Sequence, residues 1–282
     1  MEEWLVEHKI PLGVWIKSAI EFLEENASLF FDLVKDGLGS LIDSFTALML
    51  LVPVWALIAI FVGLTYALHR SWRLVALVLI SMIVIVNQGY WAETIETLSL
   101  VTCATLVCVI IGVPIGIAAA HRPWLYAVLR PVLDLMQTIP TFVYLIPTLV
   151  FFGLGVVPGL ISTVIFALPA PVRLTHLGVS AVPPALIEAG KAFGATNRQL
   201  LWKVEIPYAM PTIMAGVNQC IMLSLSMVVI AALVGAGGLG KPVVRALNQV
   251  NIPMGFEAGL CIVLLAIILD RVCKQPVARR KD

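Results

Sequence analysis

A glycine-rich run, GAGGLGKP at residues 235–242, is the stretch of this sequence that comes closest to a nucleotide-binding motif. A P-loop, GxxxxGK[ST], cradles phosphates with backbone N–H groups and holds Mg²⁺ with its final hydroxyl, after a strand and before a helix. Here Pro242 stands at the hydroxyl position, and the run follows a long apolar stretch that predicts a helix. We therefore interpret the run as a glycine-rich turn and exclude nucleotide binding.

The ionisable and nucleophilic residues show no pattern typical of catalysis or metal binding. The carboxylates are dispersed, the four histidines form no HExxH, and the five cysteines contain no CxxC pair. General acid–base chemistry needs groups within hydrogen-bond reach, and zinc needs clustered ligands. The sequence therefore predicts no catalytic residue and no metal site. The net charge of +1 gives no electrostatic case for binding nucleic acid.

A long polar segment, EAGKAFGATNRQLLWKVEIP at residues 188–207, interrupts the apolar second half of the chain. A proline pair precedes it, and Gly194 supplies a turn position that a residue with a side chain resists. Thr196, followed three residues later by glutamine, matches a capping box that starts a second helix. Apolar residues such as Phe193 indicate that the membrane surface or a partner protein covers the segment. The sequence thus predicts a helix, a hinge and a helix.

The elements that must position this segment are membrane helices, because 60% of the 282 residues are hydrophobic and 12% are charged. A helix of about 20 apolar residues spans a bilayer. The stretches that reach or approach this length lie at 44–68, 74–92, 97–120, 135–172, 206–240 and 253–269. Residues 135–172 are too long for one span, and a Gly/Pro turn at 152–159 folds them into a hairpin of two. The sequence predicts an all-α integral membrane protein with about seven transmembrane helices.

Glycines and prolines punctuate the predicted helices. Gly112 and Gly116 form a GxxxG pattern, which lets two helix backbones approach closely. Pro114 between them, and the prolines at 140, 147, 169 and 171, predict kinks or local unwinding. Transport proteins use broken helices of this kind, although glycine and proline are also common in membrane helices generally.

The distribution of lysine and arginine predicts the orientation of the chain. Alternate connections hold five of these residues in one set and thirteen in the other, and the richer set is expected on the cytoplasmic side. The N-terminus is then outside, the C-terminus inside, and residues 188–207 are cytoplasmic. Residues 14–42 show helical periodicity with an acidic face. This pattern indicates an amphipathic helix that lies on the outer membrane surface or is braced against the spans.

The polar segment resembles the EAA loop of ABC importer permeases, written EAA, three residues, G, nine residues, I-x-L-P. The matching residues are Glu188, Ala189, Gly190, Gly194, Val204, Ile206 and Pro207. Gly190 replaces the second alanine, Val204 the isoleucine and Ile206 the leucine, and the spacing is kept throughout. In that family the loop forms a coupling helix that sits in a cleft of a separate cytoplasmic ATPase. The resemblance implies that the first four matched residues form the docking turn and that Phe193 is the apolar knob entering the cleft.

A narrower resemblance covers residues 90–272. DLMQTIPTFVYLIP (134–147), IMLSLSMVVIAALVGAGGLG (221–240) and GFEAGLCIVLLAIILDR (255–271) are similar to permeases that import glycine betaine, proline betaine, choline and related quaternary ammonium osmolytes. This resemblance implies a type I ABC importer permease of a bacterial inner membrane, working as a homodimer with an ATPase dimer and an external or periplasmic substrate-binding protein. The chain then carries no cofactor and is not an enzyme, because the partner ATPase binds ATP and Mg²⁺.

The implied organisation has four parts. An external amphipathic segment covers 1–43, two peripheral transmembrane helices cover 44–92, and a basic cytoplasmic tail covers 273–282. Between them, 93–272 form the ABC permease core of five transmembrane helices, with the coupling loop at 183–207.

Three alternatives stand beside this interpretation. An ABC importer permease for another small solute, such as methionine or a sulfonate, shares the coupling loop and differs in cargo. A secondary transporter or channel needs no ATPase, and the loop spacing argues against it. A membrane enzyme needs a clustered catalytic set, which the sequence lacks.

Residues for a translocation pathway are suggested by the chemistry of the implied cargo. A quaternary ammonium ion donates no conventional hydrogen bond, so aromatic faces are its natural partners. The candidates in the predicted spans are Gln137, Phe142, Tyr144, Asn218 and Ser226, with Gln219 as a further polar residue. The aromatic candidates equally suit a core or lipid-facing place, and the polar ones suit hydrogen bonds between helices. Selectivity can also rest in the binding protein.

Overall fold

The computed structural model of the protein describes residues 11–273. The α-helices are α1 (Leu12–Leu51), α2 (Val54–His69), α3 (Trp72–Asn87), α4 (Trp91–His121), α5 (Pro123–Thr138), α6 (Thr141–Phe152), α7 (Val156–Ala167), α8 (Pro169–Ser180), α9 (Pro184–Ala192), α10 (Asn197–Leu200), α11 (Ile206–Ala232), α12 (Gly240–Gln249) and α13 (Ile252–Cys273). A π-helical turn at Leu201–Glu205 joins α10 to α11. The predicted all-α fold is confirmed. Residues 1–10 of the predicted N-terminal segment and 274–282 of the predicted tail lie outside the described residues.

The helices long and apolar enough to cross a membrane correspond to the predicted spans. Within residues 11–273, four continuous stretches qualify, namely Trp91–His121, Val156–Ser180, Asn197–Ala232 and Ile252–Cys273. The bent pairs α1–α2 and α5–α6 bring the number to six if each counts as one span. The shorter apolar helix α3 occupies the remaining predicted span at 74–92.

Two of the predicted spans are broken at prolines. Proline lacks an N–H and disfavours helical geometry in the residue before it. Accordingly, Val52 before Pro53 and Ile139 before Pro140 are extended, with ψ angles of 129° and 131°. The chain bends by 100° between α1 and α2 and by 96° between α5 and α6. The stretch 44–68 is therefore not one straight helix, because its first residues continue α1.

The centre of the fold is a packed group formed by α4, α7, α8 and α11. Small residues bring these helices close together. A Cβ atom added at Gly116 of α4 would lie 2.6 Å from the carbonyl oxygen of Val172 in α8, and one at Gly112 would lie 3.0 Å from Pro171. A Cβ added at Gly216 of α11 would lie 3.2 Å from the Cα atom of Pro171, also in α8. The close backbone approach predicted from GxxxG is confirmed.

The N-terminal helix α1 packs against α4, α6 and α7. Phe31 stacks on Phe151 with ring centroids 4.4 Å apart, and Ile42 is buried in the main core cluster. Of the two placements that its amphipathic pattern allows, the structure has α1 braced against the spans.

The glycine-rich run at 235–242 forms the turn that follows α11, and its last three residues begin α12. Gly235 and Gly238 both have φ +93°, a backbone conformation that residues with a side chain rarely adopt. The Gly238 N–H donates to a Glu96 carboxylate oxygen at 2.5 Å, and the Leu239 N–H donates to the Thr97 hydroxyl at 2.8 Å. These amides are occupied by side chains of α4 and cannot cradle a phosphate. The run follows a helix rather than a strand, which confirms that it is a structural turn.

Candidate functional site

The helix α9 ends in a tightly closed turn at the hinge glycine. Gly194 has φ +77°, its N–H donates to the Lys191 carbonyl at 2.9 Å, and the Ala195 N–H donates to the Gly190 carbonyl at 3.1 Å. This pair of hydrogen bonds is a Schellman motif, which satisfies the free carbonyls at a helix C-terminus and favours glycine at the left-handed position. The predicted hinge is confirmed and has a defined geometry.

The second helix starts with the capping box predicted from the sequence. The Thr196 hydroxyl accepts from the Gln199 N–H at 3.3 Å, and the Gln199 side chain accepts from the Thr196 N–H at 2.8 Å. Directly after it, Leu200 is buried with 3% of its surface exposed. A Cβ atom added at Gly190 would lie 2.5 Å from Leu200 Cδ2. The glycine at the second alanine position of the EAA pattern is explained by this contact, because Leu200 occupies the space of the missing methyl group.

The face of α9 that points away from the rest of the protein carries the predicted docking residues. Glu188 and Ala189 are exposed, and Phe193 is 93% exposed. A phenylalanine ring on the end of a closed turn is available to enter a cleft in a partner protein. Trp202, in the π-helical turn, is also exposed. Of the apolar residues in the segment, Leu200 is buried and anchors it, whereas Phe193 and Trp202 are exposed on its outer surface.

A buried carboxylate of this segment lies against the end of α4. Glu205, the last residue of the π-helical turn, is 7% exposed. Its Oε2 atom lies 2.8 Å from His121 Nε2, and His121 is the last residue of α4. The other ring nitrogen, Nδ1, lies 2.9 Å from the Ile117 carbonyl oxygen. Among the described residues, no other Lys, Arg or His group lies within 4.0 Å of the Glu205 carboxylate.

Sequence reasoning did not find this pair. Glu205 stands among the dispersed carboxylates and His121 among the scattered histidines. One local signal was present, since Glu205 is flanked by Val204 and Ile206 before a proline, and an acidic residue in such an apolar setting needs a partner when buried. No feature of the sequence identifies that partner as His121.

Beyond Glu205 the chain continues directly into a membrane-length helix of the core. Pro207 lies in the first turn of α11, where its missing N–H costs no helical hydrogen bond. A Cβ atom added at Gly178 of α8 would lie 3.1 Å from Ala209 Cβ, so the start of α11 is packed tightly on α8. The segment 183–207 is therefore connected to α8 and α11 through close contacts.

The aromatic pathway candidates lie on α5 and α6. Gln137 is half-buried near the end of α5, and Phe142 is 57% exposed in the first turn of α6. Tyr144 is half-buried, and its hydroxyl donates to the Leu135 carbonyl at 3.2 Å. The hydroxyl of Tyr144 therefore braces the bend between α5 and α6, while Phe142 offers a free ring face.

The polar pathway candidates on α11 lie on different faces of that helix. The side-chain oxygen of Asn218 is buried and has no hydrogen-bond partner among the described residues. Ser226 is exposed and donates to the Met222 carbonyl at 3.0 Å. Gln219, Met222 and Ser226 follow the i, i+3, i+7 spacing of one helix face, and all three are exposed. The open face of α11 therefore includes Gln219 and Ser226, and Asn218 points into the helix packing.

Comparison with known proteins agrees with this architecture. Residues 112–278 match the family described as "Binding-protein-dependent transport system inner membrane component". The glycine betaine/carnitine transport permease protein GbuB of Listeria monocytogenes is 44% identical over 266 residues, which cover 93% of this chain and 94% of that protein. The glycine betaine transport system permease protein OpuAB of Bacillus subtilis is 43% identical over 275 residues, 97% of each chain.

A solved structure shares the fold of the core. A chain from inward-facing conformations of the MetNI methionine ABC transporter superposes with a TM-score of 0.56 and 25% sequence identity. The match covers 64% of this chain and 92% of that chain. The fold is thus similar to that of an importer for an amino acid, whereas the sequence is more similar to permeases for betaines.

Proposed function

Because the chain belongs to the family of binding-protein-dependent transport system inner membrane components, we propose that it is the permease subunit of an ATP-driven importer for glycine betaine or a related quaternary ammonium osmolyte. The observation that carries this proposal is the 183–207 segment, which presents Glu188, Ala189 and Phe193 outward from a closed, anchored turn. Permeases of this family work with an ATPase and a substrate-binding protein. The chain supplies the pathway, and ATP hydrolysis takes place in the partner.

The assignment of the cargo is supported by the differences in sequence identity among the relatives. Two permeases whose names state glycine betaine transport match over nearly the whole chain at 43–44% identity, and the methionine transporter matches at 25% over 64% of it. The trimethylamine N-oxide transport system permease protein TmoV of Ruegeria pomeroyi, whose name states another small methylated solute, is 35% identical over 279 residues, 95% of this chain and 42% of that protein. The exposed ring of Phe142 offers the aromatic face that a quaternary ammonium group favours.

A second copy of the chain completes the pathway in this proposal. The open face of α11 carries Gln219 and Ser226 on a membrane-length helix, and a glutamine amide facing hydrocarbon lacks hydrogen-bond partners. A homodimer that encloses a water-filled path along this face gives the amide partners. The two coupling segments then receive the two ATPase subunits, whose closure switches the pathway between inward-open and outward-open states.

The experiment that tests the function is uptake by proteoliposomes containing the permease, its cognate ATPase and its binding protein. Labelled glycine betaine, proline betaine, choline, trimethylamine N-oxide and methionine are supplied separately. The expected result is ATP-dependent accumulation of a betaine in preference to methionine. Accumulation of methionine alone contradicts the cargo assignment and leaves the importer assignment in place.

The homodimer is tested by cross-linking at two serines of α11. In Ser226→Cys the thiol lies on the exposed face, whereas in Ser224→Cys it lies in the buried core. Both variants also carry Cys273→Ser, because Cys273 is the native cysteine among the described residues that is only partly buried. A thiol-specific bifunctional reagent is expected to join two Ser226→Cys permeases and to leave Ser224→Cys and the Cys273→Ser parent unjoined. Equal cross-linking of the two variants contradicts a paired α11 face.

A further inference from the structure

An ion pair joins α5 to α8 within the thickness of the membrane. Arg173 Nη2 donates to Asp134 Oδ1 at 2.6 Å. Arg173 belongs to the continuous membrane-length stretch Val156–Ser180, and it lies about 10 Å before the predicted cytoplasmic end of that stretch at the rise of an α-helix. A charged side chain at this depth faces the interior of a helix bundle or a water-filled cavity, because hydrocarbon does not solvate it.

Both side chains of the pair are open at the surface of the single chain. The Asp134 side chain is 52% exposed and the Arg173 side chain is 34% exposed. The helices of one copy therefore do not enclose the pair, and a lipid-facing place is excluded by the charges. The water-filled path of the proposed homodimer is the environment that satisfies both requirements.

The pair leaves most of its bonding capacity unused. A guanidinium has five N–H donors in a planar fork, and an ionised carboxylate accepts at both oxygens. Among the residues that the structure describes, the Arg173 side chain makes this single hydrogen bond, and no other Lys, Arg or His group pairs with Asp134. The contact is not the bidentate one that saturates an arginine–carboxylate pair. Arg173 can therefore bind a second carboxylate, and Asp134 can attract a second cation, while the pair stays in contact.

A second contact holds α5 on α8 independently of the ion pair. Tyr126 of α5 stacks on His176 of α8, with ring centroids 3.6 Å apart and ring planes 4° apart. His176 lies one helical turn after Arg173, and the half-buried pathway candidate Gln137 lies one turn after Asp134. The charges are thus not needed to fasten the two helices, and they stand beside a residue that the sequence already suggested for the pathway.

We propose that Asp134 and Arg173 form a zwitterion-binding site of the pathway, for a solute that carries a quaternary ammonium group close to a carboxylate. The bound solute lies antiparallel to the pair, with its carboxylate on the free N–H groups of Arg173 and its ammonium group against Asp134. A quaternary ammonium group donates no hydrogen bond, and its coulombic attraction to a carboxylate needs none. The proposal rests on the proposed function and narrows its cargo to betaines.

The site separates betaines from choline by charge. Both kinds of solute carry a trimethylammonium or similar group that Asp134 attracts. Choline has a hydroxyl group where glycine betaine has a carboxylate, so choline gains no ion pair with Arg173 and is repelled by it. Because the pair is partly exposed, its interactions are screened and binding is weak. Weak binding suits a transport pathway, which must release the solute again.

The test measures binding to the full-length permease in lipid nanodiscs, with no binding protein present. Saturation-transfer NMR detects weak binding through the methyl signals of glycine betaine and choline, which share the trimethylammonium group. The variants are Arg173→Gln, Asp134→Asn and the conservative Arg173→Lys. Lys17→Gln is the matched control, because Lys17 also pairs with a carboxylate, that of Glu21 at 3.4 Å, but lies on the exposed face of α1.

The expected results follow from the charges. Wild type and Lys17→Gln bind glycine betaine about tenfold more tightly than choline. Arg173→Gln loses about tenfold in affinity for glycine betaine and gains affinity for choline, whereas Arg173→Lys keeps the wild-type preference. Asp134→Asn binds both solutes more weakly.

A structural role for the pair gives a different pattern. If the pair only supports the fold, Arg173→Gln changes both affinities in the same direction, and this result overturns the site. Equal affinities of wild type for the two solutes, or unchanged choline binding in Asp134→Asn, also overturn it. The double variant Asp134→Asn with Arg173→Gln leaves no unpaired charge, so it guards against misfolding of the single variants. It is expected to bind the two solutes equally weakly, and a retained preference for glycine betaine overturns the site.

Uptake by the complete proteoliposomes keeps the two proposals apart. Vesicles that accumulate glycine betaine, although the permease alone binds neither solute, contradict the site and leave the importer and its cargo in place. Vesicles that accumulate methionine alone, although the permease binds glycine betaine in preference to choline, contradict the cargo. The charge arrangement of the site stands in that case, because methionine is also a zwitterion.

Discussion

The turn at Gly194 leads to a prediction whose magnitude follows from the structure. The residue has φ +77°, and a Cβ atom added there meets no atom within 4 Å. The cost of Gly194→Ala is therefore purely conformational, about 1–2 kcal/mol for a left-handed residue with a side chain. That free energy lowers the population of the docking turn about 5- to 30-fold relative to its open forms. Asparagine tolerates the same backbone region better than alanine, and valine tolerates it worse.

The assay is betaine uptake and binding-protein-stimulated ATP hydrolysis in proteoliposomes. We expect activity to fall in the order wild type, Gly194→Asn, Gly194→Ala, Gly194→Val. The matched control is Gly89→Ala, because Gly89 has φ +78° and equally open surroundings but lies in the turn between α3 and α4. That variant is expected to lose a similar amount of local stability and to keep its coupling. An activity order that follows side-chain size, with asparagine worse than alanine, refutes the conformational reasoning.

Three further predictions concern the docking surface, the helix packing and the glycine-rich turn. Phe193→Ala is expected to weaken ATPase binding without lowering the melting temperature, because its ring is 93% exposed. Leu247→Ala, at an exposed position of α12 on the predicted outer side, is expected to leave both unchanged. Gly116→Ala is expected to destabilise the protein by about 1–3 kcal/mol by overpacking, measured by thermal unfolding in detergent, whereas Gly259→Ala in open space is expected to be neutral. Glu96→Ala removes the charged acceptor of the Gly238 N–H and is expected to cost about 1.5–3 kcal/mol in the same measurement. Equal melting temperatures for Gly116→Ala and Gly259→Ala, or for Glu96→Ala and wild type, contradict these assignments.

The features predicted correctly from the sequence depend on residues close together in the chain. The capping box needs Thr196 and Gln199 alone, and the hinge needs the conformational freedom of Gly194. The GxxxG pattern predicted that another helix packs closely on α4, because small residues on one helix face permit close packing whatever the neighbouring helix is. In each case the physical cause lies within one or two helical turns.

Features that depend on contacts across the chain were not accessible in this way. Gly190 looked like a departure from the EAA pattern, and the structure explains it by the buried Leu200 below it. Asn218 looked equivalent to Gln219 as a polar residue of a span, yet its side-chain oxygen is buried and Gln219 is exposed. The angles of the breaks at Pro53 and Pro140 also needed the structure, because proline predicts a break without its direction.

The sequence by itself determined the membrane helices, the docking segment and its hinge, since apolar length, backbone freedom and capping chemistry are local properties. Only the tertiary structure decided that Glu205 is buried and that His121 is its partner. The two residues lie far apart in the chain, on either side of several membrane helices, and no periodicity relates them. Their contact exists because the close packing of α4, α8 and α11 brings the end of one helix against the start of another.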